Sequence, residues 1–181
     1  FQSDESLAAR LYESRMTSAL GPNSIGTDHI RALHRLGYLP LEFRAVPEGS
    51  AVPLRVPMVT IENTHHDFGW LTNFLETLIS NILWMPITSA TTAHHLRKLL
   101  NRYADDTCTA AEFVAFQGHD FSMRGMSSVD SAVASGLAHL VSFAGTDTVP
   151  AVEAAEYYYD ADCSEQLVGC SIPATEHSVQ C

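Results

Sequence analysis

Basic residues are scarce in this chain: 10 Lys and Arg stand against 21 Asp and Glu, a formal net charge of −11. The shortage is uneven. Up to Arg102 the two signs balance at nine each, whereas from Tyr103 onward twelve acids meet a single base, Arg124. A nucleic-acid binder needs cations to displace the counterions condensed on phosphates, so that class is disfavoured. Cysteine is sparse too: Cys108, Cys163, Cys170 and Cys181 are irregularly spaced with no CxxC pair, which suggests neither a zinc ribbon nor a dithiol redox motif. A chain of 181 residues can bury a core without staples, so the four read as free thiols in a reducing cytosol. No apolar run approaches bilayer length, and Phe1 opens a polar, acidic stretch rather than a signal peptide. There is no internal repeat, no low-complexity tract and no Walker-type phosphate loop. The chain lacks an initiating Met and opens inside a helical pattern, so it reads as an internal piece of a longer protein.

What is present is a rhythm between Glu112 and His177. Three short apolar runs, Phe113–Phe116, Leu140–Phe143 and Val168–Ile172, each lead into a polar cluster. The clusters are Gly118-His119-Asp120-Phe121-Ser122-Met123-Arg124-Gly125, Gly145-Thr146-Asp147-Thr148 and Pro173-Ala174-Thr175-Glu176-His177-Ser178. Their spacing of roughly thirty residues suits a strand, a crossover helix and the next strand. Loops at the carboxyl ends of parallel strands face one crevice, so three clusters placed there would converge on one ligand.

Upstream of this rhythm the patterns are scaffold-like. Helices are expected over Glu5–Leu20, closed by Gly21-Pro22, and over Asp28–Leu36, stopped by Gly37 and capped by Thr27 or Asp28. Residues 38–63 switch to a period of two, with Leu41, Phe43 and Ala45 alternating and a second extended run over Val56–Ile61. Pro53 and Pro57 make that run an edge strand or an interrupted one. Asp67–Trp84 reads as an apolar helix buried on most sides, and Pro86–Tyr103 as a second helix with Pro in its first turn. The stripe Thr88, Ser89, Thr91 and Thr92 suits helix–helix hydrogen bonding. The doublets His65-His66 and His94-His95 read as structural or solvated histidines, and no metal site is assigned. Ser127 and Asp130 have capping-box spacing ahead of a small-residue helix running to Leu140, and Pro150 opens the next helix. The expected division is a companion α+β unit over residues 1–108 and a β/α unit over 109–181.

Read together, the motifs resemble a known family. They are Leu39-Pro40-Leu41-Glu42, Ala45-Val46-Pro47-Glu48-Gly49, Glu62-Asn63-Thr64, Trp70-Leu71-Thr72-Asn73 with Glu76-Thr77, and Pro86-Ile87-Thr88. Further along stand His119-Asp120-Phe121 with Arg124-Gly125 and Ser127-Ser128, Ala138-His139-Leu140-Val141 with Gly145-Thr146-Asp147-Thr148, and Pro173-Ala174 with Glu176-His177-Ser178. In this order and spacing they resemble the nicotinate/nicotinamide phosphoribosyltransferase family of type II phosphoribosyltransferases, on its nicotinamide side. The resemblance runs from about Gly37 to His177 and implies an α/β fold: part of a β/α barrel plus a companion α+β domain with antiparallel strands and long helices. It also implies transfer of phosphoribosyl from 5-phosphoribosyl 1-pyrophosphate to nicotinamide in cytoplasmic NAD salvage, by a homodimer with shared active sites. Mg2+ would accompany the pyrophosphate substrate and ATP would phosphorylate a histidine.

The same resemblance implies roles for four residues. Phe121 would stack on the pyridine ring, Arg124 would donate to the carboxamide oxygen, and Asp147 would accept from its amide nitrogen while repelling the carboxylate of nicotinate. His177 would be the catalytic, phosphorylated histidine, oriented by Glu176. Read without the resemblance, Phe121 could be a core residue, Arg124 a solvated surface cation, and Asp147 the N-cap of the helix before Pro150. Nicotinate enzymes resemble this chain at Gly145-Thr146 but usually carry Ser next, and a second Arg where Gly125 stands. Two alternatives stay open: a nicotinate phosphoribosyltransferase, and a non-catalytic relative acting as a binding protein. The grips on ribose and phosphates are expected beyond Cys181, so residues 1–181 alone should be inactive.

Overall fold

The computed structural model describes residues 1–181 apart from 23, 24, 109, 176 and 181. Within it the chain divides into two compact units, Phe1–Thr77 and Leu78–Cys181. It is a mixed helix and strand structure, with a small antiparallel sheet in the first unit and parallel pairing in the second. Among the described residues no closed barrel is formed.

The first unit begins with helices α1 (Glu5–Leu20) and α2 (Asp28–Leu36), at the bounds the local signals predict. Asp4 caps α1 by accepting from the Leu7 amide at 3.1 Å. Gly21 and Gly37 end the two helices at φ 86° and 82°, values that suit glycine. Glu5 ties α1 to α2 through Arg35 at 2.8 Å and Arg31 at 3.4 Å, and the Arg35 bond holds its carboxyl below the ordinary range. Strands β1 (Leu41–Ala45) and β2 (Val59–Asn63) pair antiparallel, Phe43 opposite Ile61. The second strand starts later than the expected Val56, because Pro57 has no N–H to offer a ladder and pairing begins beyond it.

Two expected helices are one. Helix α3 runs unbroken from Trp70 to Thr107 with Pro86 inside it, and Asp67 lies in the short 3-10 turn before it. Pro86 removes one helical donor and would ordinarily end or kink a helix. Here the helix continues on both sides of it, and Thr88 Oγ1 donates to the Trp84 carbonyl at 2.7 Å, bonding locally across the proline turn. Thr91 and Thr92 back-bond in the same way, to Ile87 and Thr88. Only Ser89 of that stripe reaches a second helix, at 2.9 Å from Ser135 Oγ. The burial expected for the first half of α3 is also only partial. Leu71 is buried, but Phe74, Leu78 and Ile82 stay more than half exposed, Phe74 with only the Trp70 ring edge-on against it.

In the second unit the expected parallel rhythm is present but displaced along the chain. The run Phe113–Phe116 lies in a 3-10 helix and Leu140–Phe143 forms the end of a helix and its turn. For these two runs pairing falls instead within the polar clusters, whereas the third run, Val168–Ile172, holds a parallel bridge at Cys170. Strand β3 (His119–Asp120) lies parallel to β4 (Gly145–Thr146), with His119 opposite Gly145 and Asp120 opposite Thr146, and Cys170 bridges to Gly145 on the far side. Between the strands come α4 (Ser122–Gly125) and α5 (Val129–His139); α6 (Val149–Tyr159) follows β4 with Pro150 in its first turn. The α5 cap is Ser128, accepting from the Ser131 amide at 3.1 Å, one position later than the expected Ser127. Ala132, Gly136 and Ala138 are buried, so α5 lies close against its neighbours as the small residues predict.

Glycine allows close packing beside these short strands. A Cβ at Gly118 would lie 2.6 to 2.7 Å from three atoms of the Phe143 ring, and Phe143 is almost fully buried. That ring stacks on His139 with centroids 5.0 Å apart, and Arg97 of α3 sits 5.7 Å above it while donating to the Ser142 carbonyl at 2.6 Å. Gly118→Ala therefore overpacks a site that cannot yield, and a loss of about 1–3 kcal/mol is expected from chemical unfolding. An unchanged midpoint would show that Phe143 has room to move.

Candidate functional site

A strand turns alternate side chains to opposite faces, and β3 uses both. Asp120 points to the buried face. Its carboxyl accepts from Ser122 Oγ at 2.5 Å, from Thr148 Oγ1, from the Ser122 amide at 3.3 Å and from Thr146 Oγ1 at 3.5 Å. A Cβ on Gly136 of α5 would meet both Asp120 Oδ2 and Thr148 Cγ2 at 3.1 Å, so this polar knot sits directly beneath the helix. The Asp147 amide donates to the Asp120 carbonyl at 2.9 Å and fixes the residue that leaves β4. His139 closes the other end, its Nε2–H shared between the carbonyls of Gly118 at 3.1 Å and Gly145 at 3.2 Å.

His119 and Phe121 occupy the opposite face. Their rings are 5.0 Å apart and tilted by 46°, and Phe121 is 51% exposed, which removes the core reading for it. Asp147 is not the side-chain cap of α6; Thr148 holds the cap position without a side-chain bond. Instead Asp147 Oδ1 accepts from Ser171 Oγ at 2.6 Å and from His119 Nε2 at 2.9 Å. The Ser171 bond, then the His119 bond, hold the Asp147 carboxyl below its ordinary range, with a smaller contribution from the charge of Arg124 and some opposition from desolvation. Arg124 is exposed on α4 and makes no side-chain hydrogen bond to a described residue.

Three of the four expected site residues thus share one neighbourhood: Phe121 and Asp147 through His119, and Arg124 through its field on Asp147. The fourth is His177. It opens a short exposed helix, α7 (His177–Gln180), rather than ending a strand, and Glu176 lies outside the described residues. The preceding bridged position is Cys170, and residues 171–175 have no regular structure. His119 and Ser171 are the functional candidates that motif reading left without a role. For His119 the signal was there: positions 119 and 121 share a face of a strand. Ser171 had none, because it meets Asp147 only through the Cys170 bridge to β4.

Elsewhere, His65, His66 and Asp67 bring three possible ligand atoms within 4.8 Å on the 3-10 turn after β2, with His66 Nε2 3.0 Å from Asp67 Oδ1. Cys108, Cys163 and Cys170 are free thiols, and burial together with Glu156 pushes the Cys163 thiol up. Among the described residues no helix is long and apolar enough to cross a membrane.

The Asp147 carboxyl gives a direct test. Because its folded-state pKa is depressed, its contribution to stability is present above the unfolded value and disappears as pH falls through the folded one. Ser171→Ala removes the larger of its two donors, so the carboxyl-carbon titration of Asp147 followed by NMR should move up toward the ordinary range. A midpoint that stays put would show that Ser171 does not hold it.

Comparison with known proteins covers the same stretch. Residues 116–181, which contain β3, β4 and every residue of the site, match the profile of the nicotinate phosphoribosyltransferase (NAPRTase) family. The whole chain is 49% identical to 35% of the nicotinamide phosphoribosyltransferase of Acinetobacter baylyi. Similar proteins of the same name occur in Xanthomonas campestris, 41% identical over 78% of this chain and 30% of that protein, and in Mycoplasma pneumoniae, 36% identical over 99% of this chain and 39% of that protein. The chain therefore spans about a third of the length of these curated relatives. The match to the nicotinate phosphoribosyltransferase family thus lies over residues 116–181, the stretch that holds the parallel strands and their clusters, and the whole chain is similar to about a third of proteins named nicotinamide phosphoribosyltransferase.

Proposed function

We propose that this chain is part of a nicotinamide phosphoribosyltransferase, which joins nicotinamide to 5-phosphoribosyl 1-pyrophosphate to give nicotinamide mononucleotide and pyrophosphate in NAD salvage. The observation that carries the reading is a carboxylate, Asp147, held by Ser171 and His119 beside the half-exposed ring of Phe121. The shared name of the relatives supports it.

The chemistry asks for little beyond placement. As pyrophosphate departs, the ribosyl carbon becomes electron-poor, and a weakly nucleophilic pyridine nitrogen must be held in line with it. Phe121 would carry one face of the pyridine ring, worth about 0.5–1.5 kcal/mol beyond burial. The opposing aromatic would come from a second subunit of a homodimer. Arg124 would donate to the carboxamide oxygen and Asp147 would accept its N–H, whereas nicotinate would bring a second negative charge against Asp147. His177, exposed at the start of α7, would be phosphorylated by ATP and improve the energetics of nucleotide formation. The two parallel strands and the Cys170 bridge would be the first part of a β/α barrel in a cytoplasmic enzyme.

Mg2+ would travel with the pyrophosphate substrate. Among the described residues the side-chain group suited to a metal is His65, His66 and Asp67, and two imidazoles suit a softer ion than Mg2+. These residues therefore do not fit magnesium.

A nicotinate phosphoribosyltransferase is the second reading, favoured by the name of the matched family profile. Initial rates of the complete gene product on the two pyridines separate them. Nicotinamide should be preferred, and Asp147→Ser should narrow that preference by about tenfold or more, the scale of one charge-assisted hydrogen bond. Equal rates, or a preference untouched by the substitution, would count against the reading. Residues 1–181 alone should show no turnover, since the acid-rich stretch from Tyr103 onward is unsuited to gripping a polyanion unaided. Formation of nicotinamide mononucleotide by that piece would refute this.

A further inference from the structure

The two donors on Asp147 land on the same oxygen. Ser171 Oγ and His119 Nε2 lie 2.6 Å and 2.9 Å from Oδ1, and Oδ2 takes no hydrogen bond from a described residue. The other nitrogen of the His119 ring is equally informative. Among the described residues Nδ1 is buried without a hydrogen-bond partner, against β4, where a Cβ on Gly145 would come within 2.9 Å of it. A proton on Nδ1 would meet no acceptor, whereas a proton on Nε2 meets a carboxylate. The ring is therefore held as its Nε2–H tautomer, with little freedom to turn.

We propose that His119 is a positioning residue for choosing between pyridines: its Nε2–H occupies Oδ1 of Asp147 together with Ser171 and leaves Oδ2 as the acceptor for the substrate's carboxamide N–H. The proposal rests on the reading of Asp147 given above and adds what orients it. Without a fixed donor, either carboxylate oxygen could face the ligand, and rotation of the carboxyl would be lost on binding rather than on folding. The same imidazole lies 5.0 Å from Phe121, so one residue sets both the selecting carboxylate and the flank of the stacking ring.

The test uses the complete gene product with His119→Leu, which removes the donor, and His119→Gln, which offers an amide N–H at about the ε position. Steady-state kinetics on nicotinamide and nicotinate are compared with ring nitrogen NMR of His119. His119→Leu should raise KM for nicotinamide about tenfold with a smaller change in kcat, and should lower the preference over nicotinate by a similar factor. His119→Gln should stay within about threefold of the parent. The parent ring should show the Nε2–H pattern. Full retention of KM and preference in His119→Leu, an equal loss in both variants, or an Nδ1–H ring would each overturn the proposal. Asp147→Ser separates the two levels. If it leaves the preference unchanged, the reading of Asp147 fails; if it narrows the preference and His119→Leu does not, only the role of His119 is overturned.

Discussion

The second unit depends on the buried carboxyl of Asp120. It gathers donors from Ser122, Thr146 and Thr148 on the helix side of β3, and so ties the two strands and the start of α4 into one piece. A buried polar group of this kind is favourable only when its partners are complete, and here hydroxyl and backbone donors surround it. Because strand side chains alternate, anchoring Asp120 inward commits His119 and Phe121 to the outward face. The candidate site is thus the reverse side of a structural knot, and its side chains inherit the rigidity of that knot.

The backbone around it is short of regular pairing, with strands of two residues each. Glycine and histidine make up the difference. Gly118 lets the Phe143 ring close against the chain, and His139 binds the carbonyls of Gly118 and Gly145 with one N–H, pulling β3 and β4 into register where a ladder is lacking. Arg97 holds the Phe143 ring from α3. Side-chain contacts, not strand length, determine where the polar clusters face.

Legibility in the sequence followed the range of the interactions involved. Helices α1 and α2 were readable to the residue, because Gly21 and Gly37 act on their own turns. The parallel rhythm and the grouping of Phe121, Arg124 and Asp147 were readable from spacing and motif. The strands were misplaced onto Phe113–Phe116 and Leu140–Phe143, since apolar runs that short fit a 3-10 turn or a helix end as well as a strand. Pro86 misled for a related reason. A proline at a first turn and a proline within a long helix look alike until the flanking turns are seen to continue. Ser171 was invisible because its partner is reached only across the Cys170 bridge, a contact with no local signal.

Asp147 carries a consequence for any ligand that seals this corner from solvent. An anion normally surrenders its hydration shell when a flat ring closes over it, and that dehydration weakens the complex. Here a hydroxyl and an imidazole already stand where two water molecules would, before anything arrives. The fold has replaced part of the solvent in advance, so closure strips less water from the charge and more of the contact energy remains for holding the ring in place.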